Sequence, residues 1–213
     1  LVRMFKGKGD VHTAVAASVF GVPPEMVDHE MRRQAKVINF GILYGMGVNA
    51  LKANLNVERA EAQEYLNKYF QTFSGLAEYI DKTKAEAARL GYTTTHFGRK
   101  RYFPGLKSRL PFVRASAERM AINAPMQGTQ ADMIKLAMVK VQQLIDKEFS
   151  KEVRMVLQIH DELMFEVEEK TLKEFAPQVT EIMESILTEK ETGGVPIIVT
   201  SEAGPNWAEM KKI

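Results

Sequence analysis

Apolar residues recur with a helical period through the first part of the chain. In residues 10–20, Val11, Ala14 and Val15 fall on one face, and GVPPE at 21–25 ends the pattern. Pro125 separates the predicted helices over 113–123 and 128–149, because proline removes a backbone donor inside a helix. The pattern predicts helices over 10–20, 31–45, 49–55, 57–73, 76–90, 113–123 and 128–149. Asp28 is the predicted N-cap of the helix over 31–45, and Gly91 is predicted to end the helix over 76–90.

The pattern changes after residue 150, where short apolar runs replace the helical period. Two such runs flank the sequence His160-Asp161-Glu162, which predicts a tight hairpin. A β-ribbon or loop is predicted for TTTHFGRKRYFPG at 93–105. The predicted strands cover 152–159, 163–167 and VPIIVTS at 195–201, and a helix is predicted over 171–187. Together these elements predict an α+β fold with two subdomains that meet near residue 110.

The composition is that of a globular protein and excludes several kinds of site. The 213 residues are 45% hydrophobic and 26% charged, and their net charge of +2 indicates no partner by itself. Because there is no cysteine, disulfides, thiolate metal sites and a cysteine nucleophile are excluded. No apolar run is long enough to span a bilayer, so no membrane partner is expected. The lack of cysteine suits a reducing compartment, and a cytoplasmic location is expected. The opening LVRMFKGKGD lacks an initiator methionine, which suggests a fragment or one piece of a split protein.

The predicted helix over 31–45 carries Arg32, Lys36, Phe40 and Tyr44 at four-residue intervals. Four residues slightly exceed one turn, so each side chain lies about 40° around and roughly 6 Å along from the last. Two cations followed by two rings match the phosphates, sugar and base of a nucleoside triphosphate. The same residues also fit an ordinary amphipathic helix with solvated basic side chains and core aromatics. The pattern alone leaves both interpretations open.

The predicted hairpin turn is a second candidate site. Asp161 and Glu162 are adjacent carboxylates at its tip, and Mg²⁺ prefers a few carboxylates together with phosphate oxygens and water. A polar turn without a ligand is the alternative, because acidic residues are common in turns. His160 beside Asp161 could also suggest a hydrolase, but the chain has no G-x-S-x-G elbow and no H-E-x-x-H zinc pattern.

A basic and aromatic patch forms the third candidate. Arg99, Lys100 and Arg101 directly precede Tyr102 and Phe103. Such a patch suits contact with a phosphate backbone, because cations neutralise phosphates and rings stack on bases. A solvated loop is the alternative interpretation.

Polar side chains near Pro125 form the fourth candidate. Asn123 and Gln127 lie four residues apart, near Arg119, and could donate hydrogen bonds into a minor groove. They could equally be buried polar groups at a helix joint. The chain has neither a Walker A loop nor a G-x-G-x-x-G loop, so a P-loop or Rossmann nucleotide site is not supported.

Taken together, these motifs resemble those of family A DNA polymerases, the bacterial DNA polymerase I type. The family's motif B, R-x3-K-x3-F-G-x2-Y-G, stands complete from Arg32 to Gly45. Its motif C is matched by the run from Gln158 to Glu162. The stretches DVHT, FGRKRYFP and ERMAINAPMQGTQADMIKLAM also resemble the family, so the likeness extends over essentially the whole chain.

The resemblance implies a DNA polymerase that uses Mg²⁺, dNTP and primer–template DNA. Arg32, Lys36 and His12 would hold the triphosphate, Phe40 would pack on the incoming sugar and base, and Tyr44 would stack at the templating position. Asp161 would be a ligand of the catalytic metals, with His160 and Glu162 supporting the primer end. The implied DNA contacts are Arg119, Asn123 and Gln127, together with the basic patch Arg99, Lys100 and Arg101.

The resemblance also implies an architecture. Residues 1–110 would be the helical fingers subdomain, with the motif B helix over 28–45. Residues 111–213 would be part of the palm, with the motif C hairpin over 153–167. The family's motif A, D-Y-S-x-I-E-L-R, is missing from the sequence, so this chain alone is expected to be inactive and to need a companion polypeptide with motif A and the thumb. The alternative is a non-catalytic nucleic-acid-binding module derived from such a polymerase.

Overall fold

The computed structural model describes residues 2–6 and 10–213. Its helices are α1 (Val2–Lys6), α2 (Val11–Phe20), α3 (His29–Leu43), α4 (Val48–Leu55), α5 (Arg59–Thr72), α6 (Ser74–Leu90), α7 (Pro111–Leu144) and α8 (Leu172–Glu184). Its strands are β1 (Tyr92–Thr94), β2 (Lys100–Tyr102), β3 (Val153–Ile159), β4 (Glu162–Val167), β5 (Glu202–Ala203) and β6 (Lys211–Lys212). No helix among the described residues is long and apolar enough to cross a membrane.

The chain divides into two compact units, which we call unit 1 (Leu1–Gly128) and unit 2 (Thr129–Ile213). This division falls inside α7, after Gly128. The sequence predicts the change from fingers to palm earlier in the chain, at residue 110. The functional subdomain boundary at 110 stays a prediction, because a compact unit and a functional subdomain need not end at the same residue.

Unit 1 is built around helices whose ends are set by local side chains. The Asp28 carboxylate accepts a hydrogen bond from the Met31 amide at 2.7 Å and so caps α3, as the sequence predicts. Gly91 ends α6 with φ +80°, a conformation that favours glycine. Side chains from α2 to α7 form the main core, whose largest fully buried members are Tyr69, Ile38, Leu51, Ile122, Val15 and Val19.

The predicted break at Pro125 is wrong, because α7 runs without interruption from Pro111 to Leu144. A proline within a helix forfeits its own backbone donor and costs about 3 kcal/mol. Here the turn of α7 that precedes Pro125 is anchored by packing. Ala121 and Ala124 pack into a buried cluster with Phe103 and Leu106, and the neighbouring alanines favour helix. Packing therefore outweighs the local cost of the proline.

The predicted hairpin around residues 160–162 is confirmed, and the segment over 93–105, predicted as a β-ribbon or loop, contains a ribbon. β1 pairs with β2 in antiparallel register, with Tyr92 opposite Tyr102, so the segment over 93–105 is a β-ribbon. In unit 2, β3 pairs with β4 and Ile159 lies opposite Glu162, which leaves a two-residue turn. A register shift between Met155 and Leu157 marks a bulge in β3. A cluster that includes Val141, Phe149, Val153, Phe175 and Val179 forms the core beneath this hairpin.

The predicted strand at 195–201 is wrong. Residues 195–200 have no regular secondary structure, and Ile198 is 77% exposed. The segment instead contacts α8, where the Val199 amide donates to Glu184 Oε1 at 2.9 Å. An apolar, β-branched run forms a strand only when another strand pairs with it, and none of the described residues forms a ladder with 195–200.

Candidate functional site

The row Arg32, Lys36, Phe40 and Tyr44, which we call the α3 stripe, lies on the solvent side of unit 1. Phe40 is 43% exposed and Tyr44 is 51% exposed, and both basic side chains are exposed as well. The opposite face of α3 is buried through Ala35, Ile38 and Ile42. The interpretation with core aromatics is therefore wrong, because the helix is anchored by its aliphatic face and presents both rings to solvent.

The last member of the stripe lies just past the end of α3. The helix ends at Leu43, and the Tyr44 amide still donates to the Phe40 carbonyl at 3.0 Å. Gly45 then adopts φ +73°, which turns the chain away from the helix axis. Tyr44 is thus fixed at the boundary between a rigid helix and a turn.

His12 extends the stripe from the neighbouring helix α2. Its ring centroid lies 5.6 Å from that of Phe40, with the two planes tilted by 47°. Burial lowers the pKa of His12, the charges of Arg32 and Lys36 lower it further, and Asp10 opposes them. His12 Nδ1 is buried with no hydrogen-bond partner among the described residues. A neutral imidazole beside two cations is well placed to accept a proton when an anion binds.

Arg32 is held by a residue whose role the sequence did not reveal. Its Nε donates to Asp10 Oδ2 at 2.5 Å. The same Asp10 carboxylate accepts from the His12 amide at 3.1 Å and from Thr13 Oγ1 at 2.8 Å, and so caps α2. One local signal for Asp10 is present in the sequence. An aspartate at the start of a predicted helix favours an N-cap, but this does not predict a contact with Arg32.

Helix α7 brings Arg119 close to Gly45, next to the Tyr44 end of the α3 stripe. A Cβ built on Gly45 would lie 2.7 Å from Cγ and 3.2 Å from Cα of Arg119, so only glycine permits this approach. Arg119 and Gln127 are exposed and Asn123 is half-buried. Because the three residues are spaced by four along one helix, they form a polar row on one face of α7.

The basic hairpin has mixed roles. Arg99 Nη2 donates to the Gly128 carbonyl at 3.0 Å, which ties the β1–β2 turn to α7. Lys100 Nζ lies 4.7 Å from the Tyr92 ring centroid, and the Arg101 guanidinium carbon lies 5.4 Å from that of Phe103. All three cations are exposed. Arg99 therefore has a structural contact in addition to any contact with nucleic acid.

The acidic turn lies in unit 2, at the tip of the β3–β4 hairpin. His160 adopts φ +53°, an uncommon conformation for a residue with a side chain. Gln158 Nε2 donates to the His160 carbonyl at 2.6 Å and braces the turn. Asp161 and Glu162 are exposed, and no hydrogen bond or ion pair engages the Asp161 carboxylate among the described residues. Oxygen donors of this kind fit Mg²⁺.

The described residues hold no larger group of acidic and histidine side chains that could bind a metal ion. Within the ranges 2–6 and 10–213, no three histidine, aspartate or glutamate side chains converge in a way that could hold a metal ion. As a metal site, the Asp161–Glu162 pair would therefore be incomplete by itself. The α3 stripe belongs to unit 1 and the acidic turn belongs to unit 2.

Comparison with known proteins identifies the family. A family model described as DNA polymerase family A matches residues 1–209. The chain belongs to DNA polymerase family A. Over 210 residues it is 42% identical to DNA polymerase I of Rhizobium leguminosarum, covering 98% of this chain and 21% of that protein. Over 212 residues it is 43% identical to the thermostable DNA polymerase I of Thermus aquaticus, covering 100% of this chain and 25% of that protein.

A solved structure of the same family is also similar. The POL domain of Pol1 from M. smegmatis, in complex with DNA primer-template and dNTP, matches with a TM-score of 0.84 and 39% identity. The match covers 92% of this chain and 34% of that chain. The family resemblance and the α+β fold of the fingers and palm type are thereby confirmed. This family A chain spans about a quarter or less of the length of the two relatives named above.

Proposed function

We propose that this chain carries the nucleotide-binding helix and one metal-binding carboxylate of a template-directed DNA polymerase. The reaction would be nucleotidyl transfer from a dNTP to a primer 3′-hydroxyl. The observation that carries the proposal is the α3 stripe, in which exposed cations and exposed rings follow one another on a helix whose other face is buried. The similar Pol1 structure, which is a complex with primer-template and dNTP, supports it.

The stripe would bind the nucleotide in a fixed order along α3. Arg32 and Lys36 would neutralise charge on the phosphates, which is the main demand of phosphoryl transfer. His12 would add a donor to the same phosphates once it is protonated. Phe40 would pack on the sugar and base, and Tyr44 would stack at the templating position beyond the helix end.

The acidic turn would hold Mg²⁺ through Asp161. When bound, the metal would activate the primer hydroxyl and neutralise the leaving pyrophosphate. His160 and Glu162 would support the primer end from the same rigid hairpin. A companion segment would supply the second metal-binding aspartate, because no three acidic or histidine side chains converge on a possible metal position among the described residues.

Primer–template DNA would contact the polar row of α7. Arg119, Asn123 and Gln127 can donate hydrogen bonds to groove atoms and phosphates. Lys100 and Arg101 would add phosphate contacts from the β1–β2 hairpin. The packing of Arg119 on Gly45 supports a continuous surface from nucleotide to DNA within unit 1.

The test is binding of dATP to the 213-residue chain, measured by isothermal titration calorimetry. Arg32→Ala and Lys36→Ala should each raise Kd about tenfold or more, because each removes a charge-assisted contact with phosphate. Arg33→Ala is the matched control, since Arg33 lies on the same helix and pairs with Glu30. Equal Kd values for the three variants would refute the assignment of the stripe.

A further inference from the structure

We propose that Asp10 is a positioning residue for nucleotide binding, which holds the Arg32 guanidinium by Nε and so presents its terminal nitrogens to a phosphate. This inference rests on the proposed function of the α3 stripe. It assigns a role to a residue outside that stripe, on a different helix.

The geometry of the ion pair carries the inference. A guanidinium is planar and has five N–H donors, one on Nε and four on the terminal nitrogens. Asp10 Oδ2 accepts a hydrogen bond from Arg32 Nε. Among the described residues, no other acceptor contacts the Arg32 side chain. The edge formed by the two terminal nitrogens is therefore available for bidentate contact with a second anion.

Asp10 is itself fixed, which makes it suitable as an anchor. Both carboxylate oxygens are engaged by α2, one by the His12 amide and the other by the Thr13 hydroxyl. Holding Arg32 against this anchor before the nucleotide arrives reduces the side-chain entropy that binding must remove. The Arg32 contact holds the pKa of the Asp10 carboxyl well below its usual range, so the anchor stays charged through the neutral pH range.

The opposite role for Asp10 would be that of a competitor. A carboxylate that occupied the terminal nitrogens of Arg32 would have to be displaced by phosphate, and its removal would tighten binding. The observed contact through Nε leaves those nitrogens uncovered and so favours positioning over competition.

Asp10→Asn separates the two functions of this side chain. Asparagine caps helices as well as aspartate does, so the His12 amide keeps its acceptor while the charge that holds Arg32 is lost. Asp10→Ser is a second variant that keeps a cap, in case the first fails to fold. Circular dichroism and the thermal midpoint establish that each variant folds.

The experiment is a double-mutant cycle on the Kd of dATP, with the 213-residue chain. Asp10→Asn should raise Kd about fivefold in the wild-type and Lys36→Ala backgrounds and by less than about twofold in the Arg32→Ala background. A role confined to the fold of α2 would give the same increase in all three backgrounds, and that result would overturn the proposal.

The remaining outcomes are distinct. An unchanged or lower Kd for Asp10→Asn, with tight binding by the wild type, would overturn the positioning role and leave the function of the α3 stripe intact. Failure of the folded wild-type chain to bind dATP would refute the proposed function itself, and the role of Asp10 with it.

Discussion

Tyr69 donates its phenolic hydroxyl to the side-chain oxygen of Asn39 at 2.5 Å, and both residues are buried in unit 1. Asn39 directly precedes Phe40 on α3, while Tyr69 lies on α5. This hydrogen bond satisfies a buried polar group and joins α3 to α5 next to the α3 stripe. The exposure of the α3 stripe therefore depends partly on a contact that never touches a ligand.

Replacing Tyr69 by phenylalanine should lower the free energy of unfolding by about 1–3 kcal/mol, because Asn39 Oδ1 would be left buried without a donor. Urea unfolding followed by circular dichroism measures the change. Tyr65→Phe is the matched control, since the Tyr65 hydroxyl donates to Glu61 at the half-buried edge of α5 and its loss should cost well under half as much. Equal losses would contradict the importance of the Asn39 contact.

The same tyrosine predicts an alkaline transition. Burial raises the pKa of Tyr69 to about 12, above its ordinary value of 10.0. A raised pKa means that its contribution to stability is complete below pH 10 and is lost as pH rises toward 12. The decrease in unfolding free energy between pH 10 and 12 should be smaller in Tyr69→Phe. Identical pH profiles would show that Tyr69 does not titrate in this way.

Gly45→Ala should destabilise the chain more than Gly21→Ala. Both glycines have positive φ, +73° and +69°, so both substitutions carry a conformational cost of about 1–2 kcal/mol. Only at Gly45 would the new Cβ meet Arg119, and nothing lies within 4 Å of a Cβ at Gly21. The overlap should add about 1–3 kcal/mol in urea unfolding. Equal costs would mean that Arg119 moves aside without penalty.

Asp161→Asn should abolish primer extension by a polymerase assembled from this chain and the proposed companion segment. The loss should be at least about 10²-fold, because the variant removes a carboxylate ligand of the proposed Mg²⁺ while leaving the nucleotide helix intact. The Kd of dATP for the chain should stay within about twofold. Asp146→Asn, an exposed aspartate paired with Gln142, is the control and should retain normal extension. Near-normal rates in Asp161→Asn would refute the metal assignment.

His12 predicts a pH dependence of nucleotide binding. Its pKa lies below the ordinary value of 6.5, so the imidazole is neutral at pH 7 in the free protein. A bound triphosphate favours the protonated form, so affinity should rise as pH falls from 7.5 to 5.5. The rise should be smaller in His12→Gln. The nucleotide phosphate titrates in the same way with both proteins, so the difference between their profiles reports His12 alone. Parallel profiles for the two proteins would exclude His12 from the phosphate site.

The parts of the fold that local chemistry determines could be predicted from the sequence. The cap at Asp28, the stop at Gly91 and the turn at His160-Asp161 each depend on residues within a few positions, and all three are observed. The α3 stripe also follows from spacing alone. Its exposure does not, because aromatic residues at that spacing pack into cores as readily as they face solvent.

The errors arose where distant residues decide. Pro125 ends helices by its local chemistry, but buried packing of Ala121 and Ala124 keeps α7 continuous. The run at 195–201 has the residues of a strand without a neighbouring strand among those described. The Asp10–Arg32 pair and the approach of Arg119 to Gly45 join residues more than twenty positions apart, and no short pattern reports them.

The two exposed rings of the α3 stripe carry a thermodynamic consequence. Phe40 and Tyr44 leave apolar area in water that a fully buried ring would remove, which forgoes on the order of 1 kcal/mol of folding stability for each ring. That free energy is recovered only when another apolar surface covers the rings. The free chain is thus less stable than full burial of both rings would make it. Under the proposed function, a base and a sugar would be the surfaces that cover the rings and recover this free energy.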